Sequence, residues 1–216
     1  MYKIITVDGP SGVGKGTICE LLSSSLNSPV LNSGEIYRGI AYNLKKNKIS
    51  LNDIPSIIRY VKKYDHKKLS PNKLYNKGID LISSQISSIP QLRKLTIQIQ
   101  RNFVKLNSNA SKMIIAEGRD MGTVIFPRAE IKIFLWAKVE IRAQRRLLQF
   151  KKSRKSVKFS DILDEIALRD MKDMSRKTAP LQPAEDSYLI DNSNLDIEQC
   201  FNKILKIIKK NLNNNK

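Results

Sequence analysis

The chain has 216 residues, and 39 Lys and Arg against 20 Asp and Glu give it a formal net charge of +19. A hydrophobic fraction of 41% is enough for a globular core and too high for a disordered protein. No charge-free apolar stretch approaches the ~20 residues that a membrane helix needs, and the first residues lack a signal-peptide pattern. We therefore expect one α/β domain with no membrane association.

The basic excess raises the question of a nucleic-acid partner. Lysines are spread along the chain, and only 6% of residues are aromatic, whereas nucleic-acid modules concentrate basic residues among aromatic ones. Nucleic-acid binding is therefore not expected. The two cysteines, Cys19 and Cys200, lie far apart in sequence without metal-ligand spacing. They indicate neither a disulfide framework nor a zinc site, which fits a cytoplasmic protein.

The N-terminal half mixes strand and helix patterns. Its predicted elements are a buried strand at 3–7, a helix at 15–26, a strand at 29–31 and a helix at 35–46. Asn32 or Ser33 is expected to cap the last helix, and Asn32 and Glu35 have the spacing of a capping box. The lysine-rich segment 49–90 is less regular and predicts helical pieces in a polar insert, where His66 is expected to be solvated.

The C-terminal half alternates between the same two patterns. Its predicted elements are a helix at 92–106, strands at 112–116 and 131–136, helices at 140–152 and 160–174, a strand at 188–191 and a helix at 197–212. The Lys- and Asn-rich tail, 209–216, is expected to fray. Strands that alternate with helices indicate a doubly wound parallel sheet.

The segment GPSGVGK, residues 9–15, has the spacing of a phosphate-binding loop between a strand and a helix. Its glycines permit positive φ, so that backbone N–H groups can surround phosphate oxygens. The helix N-terminus and the Lys15 ammonium add positive charge. The residue after Lys15 is Gly16, and the hydroxyl comes one position later at Thr17. This segment predicts binding of a nucleoside triphosphate.

Polar and charged residues of four other segments fall where such a fold binds ligands. They are Ser33 and Arg38 in LNSGEIYR, Arg93 in PQLR, Arg119 and Asp120 in AEGRDMGTVIFP, and Arg169, Asp173 and Arg176 in LRDMKDMSR. The last three share one helical face and could equally form an exposed ion-pair ladder. Arg93 alone could equally be solvated. Charges directly after a buried strand, as in GRD, favour a functional site.

These and further stretches resemble the bacterial cytidylate kinases. In chain order they are VDGPSGVGKGT, LNSGEIYR, SSQISSIPQLR, IAEGRDMGTVIFP, KIFLWA, RAQRRLLQ, EIALRDMKDMSR and APLQPAEDSYLIDNS. Many nucleoside monophosphate kinases share the GKGT ending, whereas GRDMGTVIFP is more specific to the cytidylate branch. The resemblance implies a P-loop NTPase fold, a three-layer α/β/α arrangement with a five-stranded parallel sheet. It also implies a monomer that transfers the γ-phosphoryl group of ATP to CMP or dCMP.

The same resemblance implies a core of 1–40, 90–150 and 184–216, an NMP-binding region at about 41–89, and a helical lid at about 151–183. The NMP-binding region is shorter than is usual in the family. We expect this to affect CMP affinity more than the chemistry.

The resemblance assigns roles to individual positions. It implies base contacts from Ser33, Arg93, Asp120 and Arg176, phosphate contacts from Arg38 and Arg119, and sugar contacts from Ser84, Arg169 and Asp173. It implies ATP binding by Gly9, Pro10, Ser11, Gly12, Val13, Gly14, Lys15, Gly16 and Thr17, with Arg145 near the ATP phosphates. The expected catalytic cations are Lys15, Arg119, Arg169 and Arg176. Mg²⁺ is expected to arrive with ATP, held mainly by phosphates and water with help from Thr17.

An ionised Asp120 can accept a hydrogen bond from the cytosine amine, which uracil lacks, so CMP should be preferred to UMP. Two rival interpretations remain at this point. One is a P-loop kinase for another small acceptor, and the other is a nucleotide-binding protein that uses its positive charge to bind RNA.

Overall fold

The structure, a computed structural model, describes residues 2–65, 71–109, 111–152 and 157–213. Its strands are β1 (Lys3–Asp8), β2 (Val30–Asn32), β3 (Met113–Gly118), β4 (Ile131–Trp136) and β5 (Tyr188–Asp191). Its helices are α1 (Lys15–Leu26), α2 (Ser33–Lys46), α3 (Ile54–Lys62), α4 (Pro71–Leu74), α5 (Lys77–Ser87), α6 (Pro90–Asn107), α7 (Val139–Lys152), α8 (Phe159–Met174) and α9 (Ile197–Asn213). A short π-helical turn, Met121–Ile125, follows β3. His66 and the end of the tail, 214–216, lie outside the described residues.

The described strands form a five-stranded parallel sheet in the order β2–β3–β1–β4–β5, which confirms the predicted fold class. β1 is central, and its Ile5 pairs with Ile115 of β3 and Ile131 of β4. Central parallel strands are buried on both faces, which explains their unbroken apolar runs. At the carboxyl end of β1, Asp8 pairs with Gly118. The segments that follow β1 and β3 therefore start side by side.

The chain divides into two compact units, the first of which contains Met1–Val30 and Ser108–Lys216. In this unit α1 and α9 cover one face of the sheet. α1 packs through Ile18 and Leu22, and α9 packs through Ile204 and Ile208. Burial of each such side chain contributes about 1.5–3 kcal/mol, so these contacts hold α1 against the sheet.

The second unit, Leu31–Asn107, contains helices α2 to α6. Its first helix, α2, presents Ile36, Ile40 and Leu44 at a four-residue spacing, and all three are fully buried. This is the pattern expected of a helix with one apolar face. In the part of the chain that the structure describes, no helix is long and apolar enough to cross a bilayer.

Local capping sets the helix starts in the second unit. The Asn32 side chain accepts a hydrogen bond of 3.1 Å from the backbone N–H of Glu35. This confirms the predicted cap, and α2 begins at Ser33, two residues before the predicted start. The Asn76 side chain caps α5 in the same way. α6 begins at Pro90, because proline suits the first helical turn.

Replacing Leu135 by Ala tests the burial of β4 and the exposure of its neighbour β5. Leu135 of β4 is fully buried, whereas Leu189 of the neighbouring strand β5 is 63% exposed. Leu135→Ala should lower the free energy of unfolding by about 2–5 kcal/mol, because it removes core contacts and leaves a cavity. Leu189→Ala, the matched control, should change it by less than ~0.5 kcal/mol. Urea unfolding measures both, and equal losses would contradict the assigned burial.

Candidate functional site

The phosphate-binding loop between β1 and α1 depends on glycine at three positions. Gly9, Gly12 and Gly14 have φ of 148°, 73° and 98°, values that other L-residues rarely adopt. A Cβ at Gly9 would also overlap the carbonyl of Leu135. The loop therefore passes so close to β4 that only glycine fits at its first position.

Lys15 opens α1 and is buried, with 6% of its surface exposed. Its ammonium donates hydrogen bonds to the carbonyls of Gly9 and Pro10, at 2.8 and 2.7 Å. An ammonium has three donors, so a third can be given to a phosphate oxygen. Burial holds the pKa of Lys15 well below its usual range, and the positive charges of Arg119 and Arg169 add to the lowering. Arg119 and Arg169 thus place positive charge near Lys15, which favours an anionic ligand.

A buried ion pair clamps Ser11 in the middle of the loop. Arg142 of α7, only 1% exposed, forms a 2.5 Å ion pair with Asp170 of α8. Arg142 also donates to the Ser11 carbonyl at 2.9 Å, and Asp170 accepts from the Ser11 N–H at 3.4 Å. The loop is therefore held by two helices from the C-terminal half of the chain.

Arg145 of α7 contacts the segment after β5. Its guanidinium donates to the side-chain and backbone oxygens of Asn192 at 3.1 and 2.7 Å. The Asn192 side chain donates in turn to the carbonyl of Val13 at 2.9 Å. Arg145 thus lies one residue away from the phosphate-binding loop, and Asn192 links the two.

Asp8, the last residue of β1, holds the π-helical turn in place. Its two carboxylate oxygens accept from the N–H groups of Met121 and Gly122, at 2.9 and 2.8 Å. Burial raises the pKa of Asp8 to about 7, and the nearby Asp120 carboxylate adds to the rise. The two N–H groups and the Lys15 charge act in the opposite direction.

The turn that Asp8 holds begins at Asp120, which is buried at 4% exposure. The Asp120 carbonyl accepts from the N–H groups of Val124 and Ile125 at 2.9 and 3.1 Å. These bonds, with those of Asp8, fix the backbone on which the Asp120 carboxylate is carried. A buried carboxylate on a fixed turn is suited to selective hydrogen bonding.

Asp173 of α8 brings two predicted arginines together. One of its carboxylate oxygens accepts from Nε of Arg119 at 3.2 Å, and the other lies 3.2 Å from Nη2 of Arg176. The Asp173 carbonyl also accepts from Nε of Arg176 at 3.3 Å. Arg119, Asp173 and Arg176 therefore form one cluster rather than an exposed ladder. Arg119 follows Gly118, which pairs with Asp8 just before the loop, and Asp170 of α8 accepts from Ser11 of the loop, so this cluster lies beside the phosphate-binding loop.

The remaining predicted acceptor residues belong to the second unit. Ser33 is buried at the start of α2, and Arg38 follows on the same helix. Ser84 lies on α5 and is half-buried. Arg93 of α6, 4% exposed, donates to the carbonyl of Ser87 at 3.1 Å, which contradicts the alternative of a solvated side chain.

The residues near the start of α1 fit a magnesium ion that arrives with its nucleotide. The described residues hold no group of three or more His, Cys, Asp or Glu that could bind a metal alone. Thr17 is exposed in the first turn of α1, and a Cβ on Gly16 would lie 3.9 Å from a carboxylate oxygen of Glu117. One hydroxyl and one carboxylate are the hard oxygen donors that Mg²⁺ combines with phosphates and water.

The residues that support the phosphate-binding loop and the turn after β3 were not predicted from the sequence. Asp8 carried a usable signal, because it is a charge at the end of an apolar strand run, near the loop. Asp170 lies off the helical face that was singled out on α8. Its partner Arg142 is 28 residues earlier in sequence. No spacing rule connects the two, so only the fold identifies that ion pair.

Comparison with known proteins gives matches over nearly the whole chain. A family model described as "Cytidylate kinase" matches residues 5–210. A cytidylate kinase of Mycoplasmopsis synoviae (strain 53) is 36% identical and aligns 95% of this chain with 97% of that protein. A cytidylate kinase of Vibrio vulnificus (strain CMCP6) is also 36% identical, over 97% of this chain and 96% of that protein.

Solved structures with low sequence identity share the fold. An uncharacterized protein from Eubacterium ventriosum ATCC 27560 has a TM-score of 0.55 at 16% identity, covering 97% of this chain and 99% of that one. The protein TT1252 from Thermus thermophilus has a TM-score of 0.51 at 18% identity, covering 98% of each chain. At such identities the likeness concerns the fold alone.

Asp8 predicts a pH dependence of stability. The native state keeps the Asp8 proton up to about pH 7, whereas the ordinary pKa is 3.8. Between these values the native state binds more protons than the unfolded state, so the stability due to Asp8 falls as pH rises. Asp8→Asn removes this dependence. The stability of the wild type relative to Asp8→Asn should therefore be greater at pH 5 than at pH 8, by about 3 kcal/mol at most, since about 2 pH units of this window lie below the native pKa and each is worth about 1.4 kcal/mol.

Urea unfolding at several pH values measures this difference. Asp164→Asn, at an exposed position on α8, is the control and should give parallel curves between pH 5 and 8. Parallel curves for Asp8→Asn as well would show that Asp8 titrates normally.

Proposed function

The chain belongs to the cytidylate kinase family, and we propose that it transfers the γ-phosphoryl group of ATP to CMP or dCMP, releasing ADP and CDP or dCDP. The observation that carries this proposal is the buried Lys15 of the phosphate-binding loop beside the Arg119–Asp173–Arg176 cluster. Phosphoryl transfer needs positioning and positive charge more than covalent chemistry. The described residues provide both at this place.

On the donor side, the loop from Gly9 to Thr17 binds the ATP phosphates through backbone N–H groups, and Lys15 adds its charge. Arg145 supports the loop through Asn192, and we assign it to the ATP phosphates. Mg²⁺, bound with ATP, would neutralise phosphate charge, with Thr17 and Glu117 as the residues that hold it directly or through water.

On the acceptor side, the first unit provides five residues to CMP. Arg119 binds the phosphate, Arg169 and Asp173 bind the sugar, and Arg176 and the buried Asp120 contact the base. The ionised Asp120 accepts a hydrogen bond from the exocyclic amine of cytosine. Uracil presents a carbonyl at that position, which would leave a buried acceptor without its donor.

The second unit provides Ser33 and Arg93 to the base, Arg38 to the phosphate and Ser84 to the sugar. We assign the acceptor-binding region to about 41–89, which falls within this unit, and the lid to about 151–183. Closure of a lid would exclude water and prevent loss of ATP to hydrolysis. We place the protein in the cytoplasm as a monomer.

Catalysis then depends on four cations, Lys15, Arg119, Arg169 and Arg176. Two negatively charged substrates repel each other, and charge spreads over the equatorial oxygens of the transferring group. Cations that are already fixed in a partly buried site stabilise that charge without reorganising. No general base is needed for this step, because positioning and charge stabilisation account for most of the rate.

A panel of acceptors tests the activity. ADP release from Mg·ATP should be rapid with CMP and dCMP, roughly 10- to 100-fold slower with UMP, and near background with AMP. Equal ADP release with and without any acceptor would instead identify an ATPase. Salt-sensitive RNA binding without acceptor-dependent turnover would favour the RNA-binding interpretation.

Asp120→Asn tests the origin of base selectivity. An amide can donate to the uracil carbonyl as well as accept, so the ratio of kcat/KM for CMP over UMP should fall by about 10-fold or more. Asp164→Asn removes an exposed carboxylate from α8 and should leave the ratio unchanged. If Asp120→Asn lowers the activity but keeps the wild-type ratio of kcat/KM for CMP over UMP, a residue other than Asp120 selects the base.

A further inference from the structure

Arg38 is held by an aspartate from a different helix of the same unit. Nε of Arg38 donates to a carboxylate oxygen of Asp80 at 2.8 Å, and the two side chains are only 16% and 19% exposed. Asp80 lies in the first turn of α5, which is capped by Asn76. A charge-assisted hydrogen bond between partly buried groups is stronger and more directional than one at the surface.

An aromatic ring covers one face of the same guanidinium. Cζ of Arg38 lies 4.7 Å from the ring centroid of Tyr75, within the range of a cation–π contact. The Tyr75 hydroxyl donates to the carboxylate of Glu35 at 3.2 Å. Since Glu35 is three residues before Arg38 on α2, the ring is attached to the helix that carries the arginine.

The backbone of α2 itself also lies against the Arg38 guanidinium. A Cβ at Gly34 would lie 2.7 Å from Nη1 of Arg38 and 3.9 Å from Cζ. The guanidinium is therefore folded back over the first turn of its own helix, where the helix dipole favours an anion. Any side chain at Gly34 would displace it.

These contacts determine which edge of Arg38 faces a ligand. Asp80 occupies Nε, Tyr75 covers a face and the α2 backbone lies against Nη1, so the remaining N–H groups, chiefly those of Nη2, are left for a phosphate. An arginine held in this way keeps its remaining donors in a fixed direction. Its side chain has many rotamers, and holding it in one of them in advance lowers the entropy lost on binding.

We propose that Asp80 and Tyr75 are positioning residues that hold Arg38 in place for the phosphate of the acceptor nucleotide. The inference rests on the proposed function, because it needs a nucleoside monophosphate as the ligand of Arg38. Asp80 and Tyr75 lie between α4 and the middle of α5, in a segment whose residues carry no catalytic role of their own.

Steady-state kinetics with CMP and ATP varied separately test the proposal. Asp80→Asn keeps the shape of the side chain and loses its charge, and Tyr75→Leu loses the ring. Asp80→Asn should raise the KM for CMP by about 10-fold, and Tyr75→Leu, at a residue that is 47% exposed, by about 2- to 5-fold. Both should change the KM for ATP by less than about 2-fold, because Arg38 acts only on the acceptor. Tyr75→Phe keeps the ring without its hydroxyl and should restore most of the wild-type KM. Asp164→Asn is the control for removal of an exposed carboxylate, and thermal unfolding identifies any variant that has lost its fold.

A double-mutant cycle distinguishes an effect of Asp80 that acts through Arg38 from a general effect on the structure. In an Arg38→Ala background, Asp80→Asn should have no further effect on the KM for CMP, since its partner is already gone. The positioning role would be overturned by a further rise of about 10-fold in the KM for CMP in that background. It would also be overturned if the wild type is active and both single variants have a normal KM for CMP. A wild type that releases no ADP in response to CMP would instead overturn the proposed function, and this inference with it.

Discussion

The parallel pairing of β1 with β3 is the constraint on which the first unit depends. It sets Asp8 beside Gly118, so that the phosphate-binding loop and the segment with Arg119 and Asp120 start at neighbouring points on one sheet edge. Asp8 strengthens this arrangement, because its carboxylate bonds the two N–H groups that open the π-helical turn. A single buried side chain thus joins the loop suited to phosphate with the carboxylate suited to a base.

Burial of so many charges in one place is costly unless they compensate one another. Around the loop, Asp173 lies between two arginines, and Asp170 pairs with Arg142. Burial is the main cause of the lowered pKa of Lys15, and Arg119 and Arg169 add to the lowering while Glu117 and Asp8 oppose it. An anionic phosphate would complement the arginines around this lysine.

In the second unit, too, a partly buried arginine is compensated by a nearby carboxylate. Arg38 is confined by Asp80, Tyr75 and the bare backbone at Gly34. None of these is a buried hydrophobic contact, and α2 owes its stability to other residues such as Ile40 and Leu44. The side of α2 that carries Arg38 is therefore separate from the residues that stabilise the helix in its unit.

The sequence by itself determined the parallel α/β fold, the phosphate-binding loop, the Asn32 cap and the segments that carry charges, because each depends on local spacing or on unbroken apolar runs. Only the tertiary structure decided which of those charges meet. Three contacts join residues that are 28 to 131 positions apart: the bond between Asp8 and the turn at Met121, the Arg142–Asp170 pair around Ser11, and the Asp80–Arg38 contact. No periodicity connects such positions. Their proximity follows from strand order and helix packing within each unit.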